Sequence, residues 1–486
     1  MLFYGALISP TSLTAYTAAP HALVSVSDDT GVIEWVEEDV PAHTLQDTLA
    51  KHGVVDAELT ELKRGEFLMP GLIDTHTHAP QVPNAGLGQE YELLDWLAQI
   101  TFPMEARYKD PAFAQRVYES VVRRFIDCGT TTCCYYGTLH LEATKILADI
   151  VHSSGQRAFV GKCNMDRNSP PTYVEASVAD SVADTRALIA YIRGLSPDPR
   201  GARVQPILTP RFAISCTPEL LGELGALASA DPALAIQTHI SENPSEIAFT
   251  KELFPAGVLP GASKGSETTY AGVYDAFGLL RSNTVLAHAV HLEPSEVELI
   301  RTRQAGISHC PTSNFNLRSG CAHVGELLDA GIKVGLGTDV SGGFSSSILN
   351  AVQNASIASK VIAMQQTDTA PLQQTFATRH FSIATLLHLA TQGGADVCGL
   401  GTRIGSLVPG KAFDALVVSL ATDANPGAWS VALDDALGIQ RGGEGPGVER
   451  RELESLLERF LFTGDDRNIR RVYVDGRCVG GVEFSR

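Results

Sequence analysis

The nine cysteines form no Cys-x-x-Cys pair and follow no framework spacing. An odd, scattered set of thiols, with Cys133 and Cys134 adjacent, excludes a disulfide scaffold and points to reduced thiols in a cytoplasmic protein. No apolar run reaches the roughly 18 residues needed to span a bilayer, so no membrane partner is expected. The N-terminus has no basic residue ahead of its short apolar run, and Ser9-Pro10 interrupts that run, so no signal peptide is expected either. Basic residues are scarce: 37 Lys and Arg face 55 Asp and Glu, for a net charge of -18. Such a surface repels phosphate backbones, which excludes nucleic-acid polymers as expected partners and leaves a small, locally recognised ligand. Also missing are the Gly-x-Ser-x-Gly elbow of serine hydrolases and the Pro-Cys-x-x-Cys of the zinc deaminases that act on nucleic acids. Internal repeats and low-complexity tracts are absent as well.

What is there is a globular composition, 44% hydrophobic and 19% charged over 486 residues, enough for one large domain and a smaller one. Residues 1–67 read as short strands (2–6, 22–26 and 31–36), the last two joined as a hairpin through Asp28-Asp29-Thr30-Gly31. From there eight apolar runs, each ending in polar residues, alternate with helix-like segments: 68–78, 130–136, 158–163, 204–211, 235–241, 284–288, 306–311 and 334–339. Thr217-Pro218-Glu219 and Pro294-Ser295-Glu296 mark helix starts between them. The alternation predicts an α/β fold, a (β/α)8 TIM-type barrel. An open doubly wound sheet is the second reading, but its Gly-rich turn after the first strand is replaced here by His76 and His78. Beyond about residue 400 short strands return: a strand, a Pro-Gly turn and a strand over 404–418, and a closing hairpin at Asp475-Gly476. Between them a Gly-rich loop (Gly442, Gly443, Gly445, Gly447) precedes an amphipathic helix near 452–460. The expected organisation is a barrel over 68–401 beside a smaller β-sandwich domain built from 1–67 and 402–486.

In such a barrel the reactive groups stand where strands end at the C-terminal face. The strand period of two puts His76 and His78 on one face at the end of the first strand. Strand five ends in His239, followed by Ser241-Glu242; strand six ends in His288 and strand eight in Asp339. Each has a bland reading. His288 could be a core histidine, Asp339 a cap for a helix after Gly342-Gly343, and Glu242 a first-turn acid. Gly335-x-Gly337 lacks the third glycine and the Lys-Ser/Thr ending of a phosphate loop. Four strand ends of one barrel being bland together is the poorer account. Four histidines and an aspartate are expected to hold one divalent ion with an open position for water, a donor set that suits zinc and tolerates iron or manganese. A bound divalent metal lowers the pKa of water from about 15.7 toward about 7. Asp339 would accept the first proton, and Glu242, three residues past His239, would carry it to substrate and leaving group. The reaction class is hydrolytic attack on an sp² carbon.

These residues resemble the amidohydrolase superfamily, with its His-x-His on strand one, histidines ending strands five and six, and an aspartate ending strand eight. More narrowly they are similar to its guanine deaminase branch. That likeness rests on 69–78 with Gln81, Thr209-Pro210-Arg211-Phe212, His239-Ile240-Ser241-Glu242-Asn243, His309-Cys310-Pro311-Thr312-Ser313-Asn314, Gly335 through Gly343, and Gly464-Asp465-Asp466-Arg467-Asn468-Ile469. It runs from about residue 66 to 418 and into the flanking β-domain. The resemblance implies hydrolysis of guanine to xanthine and ammonia, a small purine base as partner, one zinc per subunit and a homodimer. It implies His76, His78, His239, His288 and Asp339 as metal ligands, Glu242, Asp339 and His288 as catalytic residues, and Gln81, Arg211 and Phe212 as purine contacts alongside His239 and Asp339. Arg211 would offer a fork of donors, Phe212 an apolar face, and Gln81 a donor and an acceptor. Their bland readings are a salt bridge to a nearby acid for Arg211 and core packing for Phe212. Residues 91–108, with Trp96 and Phe102, read as a lid, a dimer contact or a barrel-wall helix; His309 and Cys310 read as pocket lining. Strand four holds no lysine, so one metal is expected rather than two. Another heterocycle (cytosine, a triazine, a thiolated adenosine) or a non-catalytic scaffold of the same fold are the alternatives.

Overall fold

Gly71 is where the chain passes from one sheet into another. In the computed structural model, which describes residues 1–54, 58–196, 202–261, 267–365, 375–421, 424–425 and 446–485, the run expected over 68–78 is two strands. Glu66–Pro70 pairs with Leu2–Ser12 and Ala415–Ser419 in the smaller sheet, whereas Leu72–His78 opens the barrel. The backbone amide of Gly71 donates to Asp414 O and that of Leu72 to Gly129 O, both at 3.0 Å, so the hydrogen-bonding partner changes within one residue. A side chain at 71 would run into Thr131, which is why a glycine stands at the crossover.

Leu72–His78, Thr130–Tyr136, Arg157–Gly161, Val204–Pro210, Ala235–Ile240, Thr284–His288, Gly306–His309 and Lys333–Leu336 lie side by side in chain order, every neighbouring pair parallel. The third run expected over 158–163 is broken, a two-residue strand, Cys163–Asn164, pairing separately with the fourth. The seam between the last strand and the first is closed by specific bonds. Thr75 Oγ1 donates to Leu336 O at 2.9 Å and the Asp339 amide to His76 O at 2.9 Å. The Asp74 carboxylate accepts from Thr338 Oγ1 at 2.5 Å and from the amides of Thr338 and His76 at 3.1 Å. Close approach at this seam explains Gly335-x-Gly337: an added Cβ at Gly335 would lie 2.8 Å from Thr75 Cγ2, and at Gly337 3.0 Å from His76 Cβ. Helices cover the outside, the Pro218–Ala230 helix starting as expected with Thr217 capping Leu220 N and proline in its first turn.

Among the described residues the chain ends make one eight-stranded sheet with its own apolar core of Phe3, Leu7, Val24, Ile33, Leu68, Phe413 and Val417. Its edge strand Ile33–Glu37 returns to the 410–413 segment through Ile33 N to Lys411 O at 2.8 Å. The first two strands, Leu2–Ser12 and Ala15–Val26, are longer than expected, because Pro10 falls beside a register shift instead of ending the strand. The strand expected at 404–408 does not form; Ile404 and Leu407 insert singly into two apolar clusters, and pairing begins at Ala415. Ile469–Val474 and Arg477–Gly480 form the closing hairpin, both turn residues Asp475 and Gly476 being left-handed at φ 47° and 74°. The helix expected near 452–460 spans Pro446–Thr463; of the Gly-rich loop before it, Gly442, Gly443 and Gly445 lie outside the described residues. Among the described residues no helix is long and apolar enough to cross a membrane.

Arg157 fastens the two sheets together. At the start of the third barrel strand its guanidinium is 1% exposed and donates to Asp414 at 2.9 and 3.2 Å and to Asp475 at 2.5 Å, both in the smaller sheet's connections. Truncating one member of such a buried pair leaves uncompensated charge, so Arg157→Met is expected to cost about 3–5 kcal/mol of unfolding free energy. Urea unfolding measures this, and a loss below about 1 kcal/mol would show that the clamp contributes little.

Candidate active site

The barrel brings the five candidate ligands to one buried place. His76 and His78 leave the first strand on the same face, and Asp339 lies three residues beyond the eighth strand, on a connection rather than on the strand itself. Donor atoms of His76, His78, His239 and Asp339 all lie within 4.8 Å of one another. His76 Nε2 and His78 Nε2 stand 3.0 and 3.4 Å from Asp339 Oδ1, and His288 Nε2 3.7 Å from Asp339 Oδ2. His78 Nε2 and His239 Nε2 face each other at 3.2 Å. Two ligands of one tetrahedral ion at about 2.05 Å each are separated by about 3.3 Å, so the spacing is that of a cation's shell.

The outer nitrogens say the same. His239 Nδ1 donates to the backbone oxygen of Arg211 at 2.5 Å and His288 Nδ1 to Asn314 Oδ1 at 2.9 Å. Each bond fixes the tautomer whose Nε2 carries a lone pair toward the centre. His288 Nε2 is buried without a hydrogen-bond partner, as expected of an atom waiting for an electrophile. Burial drives the His78 imidazole down to about 4 and that of His239 well below its ordinary value, so both are neutral ligands. Burial alone would raise the Asp339 carboxyl, but the imidazoles of His76, His78 and His288 outweigh it and hold Asp339 ionised. The donor set and its spacing fit a single divalent metal.

Backbone strain is concentrated here. Ser241, His288, Ala289 and Asp339 all have positive φ, at 47°, 76°, 51° and 45°. Non-glycine residues held so cost about 1–3 kcal/mol each, and they occur where side chains leaving the strand ends must turn inward.

Glu242 precedes the helix Pro244–Leu253, whose cap is Asn243 and whose first-turn acid is Glu246. It is therefore free of the helix-start role that competed for it. Its Oε2 is 3.5 Å from His288 Nε2, and its Oε1 accepts from Ser319 Oγ at 3.3 Å. Burial, with Asp339 and Glu246 nearby, raises its carboxyl well above the ordinary range.

Gln81, Arg211, Phe212, Leu93, Trp96, Leu97 and Leu317 complete a pocket that opens onto this group. Leu93–Trp96 and the turn after it, Leu97–Thr101, contribute its apolar wall, so the 91–108 segment meets the site directly. Phe212 lies edge-on to His239 with ring centres 6.1 Å apart. Arg211 does have the salt bridge that was its competing reading: Nη1 and Nη2 contact Glu105 at 2.6 and 3.1 Å. That takes two of its five donors and leaves the rest of the fork available. His309 does not line this pocket; it borders a separate cavity with Ala322, Val324, Phe376 and Phe381. Cys310 is likewise outside the pocket wall, packed behind His76 and His288 with its thiol raised by burial.

Several residues of the site were not identified from the sequence. Asp74 carried a signal, being two residues before His76 and so on the same strand face. Glu105, Tyr173 and Ser319 had none, since each meets its partner across 68 to 106 residues of chain.

Residues 67–479 match the amidohydrolase family. The chain belongs to that family. It is 43% identical to a probable guanine deaminase of Schizosaccharomyces pombe, over 99% of this chain and 84% of the relative. A guanine deaminase of Dictyostelium discoideum is 39% identical over 98% of each chain. The crystal structure of guanine deaminase from C. acetobutylicum, with guanine bound in its active site, superposes with a TM-score of 0.82 at 32% identity, covering 98% of this chain and 99% of that one. In an amidohydrolase, three histidines and an aspartate gathered in this way make a mononuclear metal centre.

Asn314 accepts from His288 Nδ1, and the other nitrogen of that imidazole stands 3.7 Å from Asp339. Asn314→Leu is expected to weaken metal binding by about 10- to 100-fold without unfolding the protein, read by competition with a chromophoric chelator. Unchanged affinity would mean that the imidazole is held by packing alone.

Proposed function

We propose that this amidohydrolase converts guanine and water to xanthine and ammonia. The observation that carries the reading is the single pocket in which the histidine–aspartate group faces Gln81, Arg211 and Phe212. The names of the relatives and the guanine in the C. acetobutylicum structure support it. Zinc is the metal that suits this donor set best, held by His76, His78, His239, His288 and Asp339. When bound, it lowers the pKa of a water and so supplies a nucleophile at neutral pH.

The chain's own groups do the rest. Phe212 offers its apolar surface to the purine plane, Gln81 pairs with its edge, and the free donors of Arg211 meet the ring carbonyl, which guanine has and adenine lacks. Asp339, ionised, takes a proton from the water; Glu242, protonated at rest, gives one to a ring nitrogen as the C2–O bond forms. Glu242 is then a carboxylate; it takes the proton of the new C2 hydroxyl and passes it to the amino group, so that the C2–N bond breaks, ammonia leaves and the C2 carbonyl of xanthine remains, and the proton on Asp339 returns to Glu242. His288, 3.5 Å from Glu242 and 3.7 Å from Asp339, stands within reach of both proton-carrying groups. The same reading takes 68–401 as the catalytic domain braced by 1–67 and 402–486, and the protein as a cytoplasmic homodimer.

Loss of guanine absorbance, measured with metal content on the same sample, tests the assignment; bound metal without guanine loss would leave only the family. Glu242→Gln should keep its metal while turnover falls by about 10²- to 10⁴-fold, because proton transfer alone is removed. A near-normal kcat would assign the relay elsewhere. Arg211→Lys should raise KM for guanine more than it lowers thermal stability, since lysine cannot reproduce the fork; equal loss across unrelated heterocycles would make the arginine structural.

A further inference from the structure

Glu105 lies behind the pocket and does not line it. Its side chain is 0% exposed, and both oxygens are spent on residues that face the substrate space or brace it. Oε2 accepts from Arg211 Nη1 at 2.6 Å and Tyr173 OH at 2.5 Å; Oε1 accepts from Arg211 Nη2 at 3.1 Å and Gln81 Nε2 at 2.8 Å. The Gln81 amide is thereby fixed in one orientation, with its Oε1 accepting from Ser341 N at 3.2 Å.

Charge is what this carboxylate adds beyond geometry. Arg211 is the one lysine or arginine among the described residues lining the pocket. The acids on the same walls are engaged elsewhere. Asp339 is committed to His76 and His78, Glu242 to Ser319 and His288, and Glu246 to Tyr270 OH and the amides of Glu242 and Asn243. The histidines facing in, His78, His239 and His288, point their Nε2 atoms at the centre rather than at Arg211. The counter-charge for Arg211 therefore comes from Glu105, on a short helix, Phe102–Glu105, that follows the pocket's apolar wall. A buried guanidinium without it would present full positive charge to whatever occupies the pocket, where the interaction is screened little.

We infer, resting on the guanine reading above, that Glu105 is a positioning residue that selects the neutral purine and lets the product go: it cancels the Arg211 charge so that this guanidinium offers donors to a ring carbonyl but no counter-ion to a purine anion. Xanthine, with a second ring carbonyl, is a stronger acid than guanine and gives up a ring proton more readily. An uncompensated Arg211 would hold that anion by charge-assisted hydrogen bonds after every turnover.

Calorimetric titration of metal-loaded, full-length enzyme with xanthine, on either side of the xanthine ionisation, tests this, with hypoxanthine as a purine that stays neutral. Wild-type affinity for xanthine should not rise as xanthine ionises. In Glu105→Gln it should rise by about tenfold or more, with xanthine inhibition of guanine turnover rising in parallel and hypoxanthine affinity unchanged by pH. Glu105→Asp, which keeps the charge, should follow the wild type. A flat xanthine profile in Glu105→Gln would reduce Glu105 to a packing role and overturn the inference. So would a wild-type affinity that climbs with ionisation, a result that needs no variant to fold. Absence of guanine turnover in the wild type would instead overturn the reading beneath it, and that is scored separately from binding.

Discussion

Imidazole lone pairs and one carboxylate pressed together out of water make an arrangement that is unfavourable unless a cation joins it. His78 and His239 are held neutral by burial and face each other at 3.2 Å, while Asp339 stays ionised against its own burial because the imidazoles surround it. Among the described residues His288 Nε2 is buried with no hydrogen-bond partner. The protein meets the cost of this clustering with rigidity. Tyr136 packs against His76, His78 and His239 at ring-centre distances of 4.8, 4.6 and 5.1 Å, and the outer nitrogens of His239 and His288 are tied to Arg211 and Asn314.

The centre depends in turn on the barrel seam, because its ligands come from both sides of it. Asp74 binds Thr338 twice and the His76 amide once, so one buried carboxylate sets the spacing between the strand that carries the two first histidines and the connection that carries Asp339. Burial raises Asp74 to about 7 in spite of those bonds. Four enclosed carboxyl groups near one pocket thus differ because their surroundings differ. Asp339 is held low by contacts with His76, His78 and His288, whereas Glu242 is raised by burial with Asp339 and Glu246 beside it. Glu105 would be raised by burial, but Arg211 outweighs that and holds it low. Separating the titrations of neighbouring acids is how one site comes to hold a base and an acid together.

Much of the fold and the metal group was legible in the chain. The strand-helix alternation, the helix caps and the period-two placement of His76 and His78 are local properties, and local properties are written in neighbouring residues. So were His239 and His288 as strand-end residues, once eight strands implied a barrel, whereas Asp339 lies on the connection three residues beyond the eighth strand. Strand limits were less legible. Pro10 sits in a strand because a register shift accommodates it, and the 68–78 run divides at Gly71 because two sheets compete for it.

Tertiary structure alone decided which groups share a charge or a proton. Arg211 pairs with Glu105 across 106 residues, Ser319 steadies Glu242 across 77, and Arg157 joins the two sheets across 257. Residues 91–108 were ambiguous in sequence because the same apolar spacing serves a lid, a dimer contact and a barrel-wall helix; only the fold shows Leu93, Trp96 and Leu97 lining the pocket and Phe102 packed against Arg211 and Phe212. The sequence by itself determined the repeating architecture and the kinds of atom available at its strand ends, because backbone geometry imposes those periodicities. Burial and long-range pairing determined the protonation states and the pocket's electrostatics, because those depend on neighbours that only the closed barrel brings within a few ångströms.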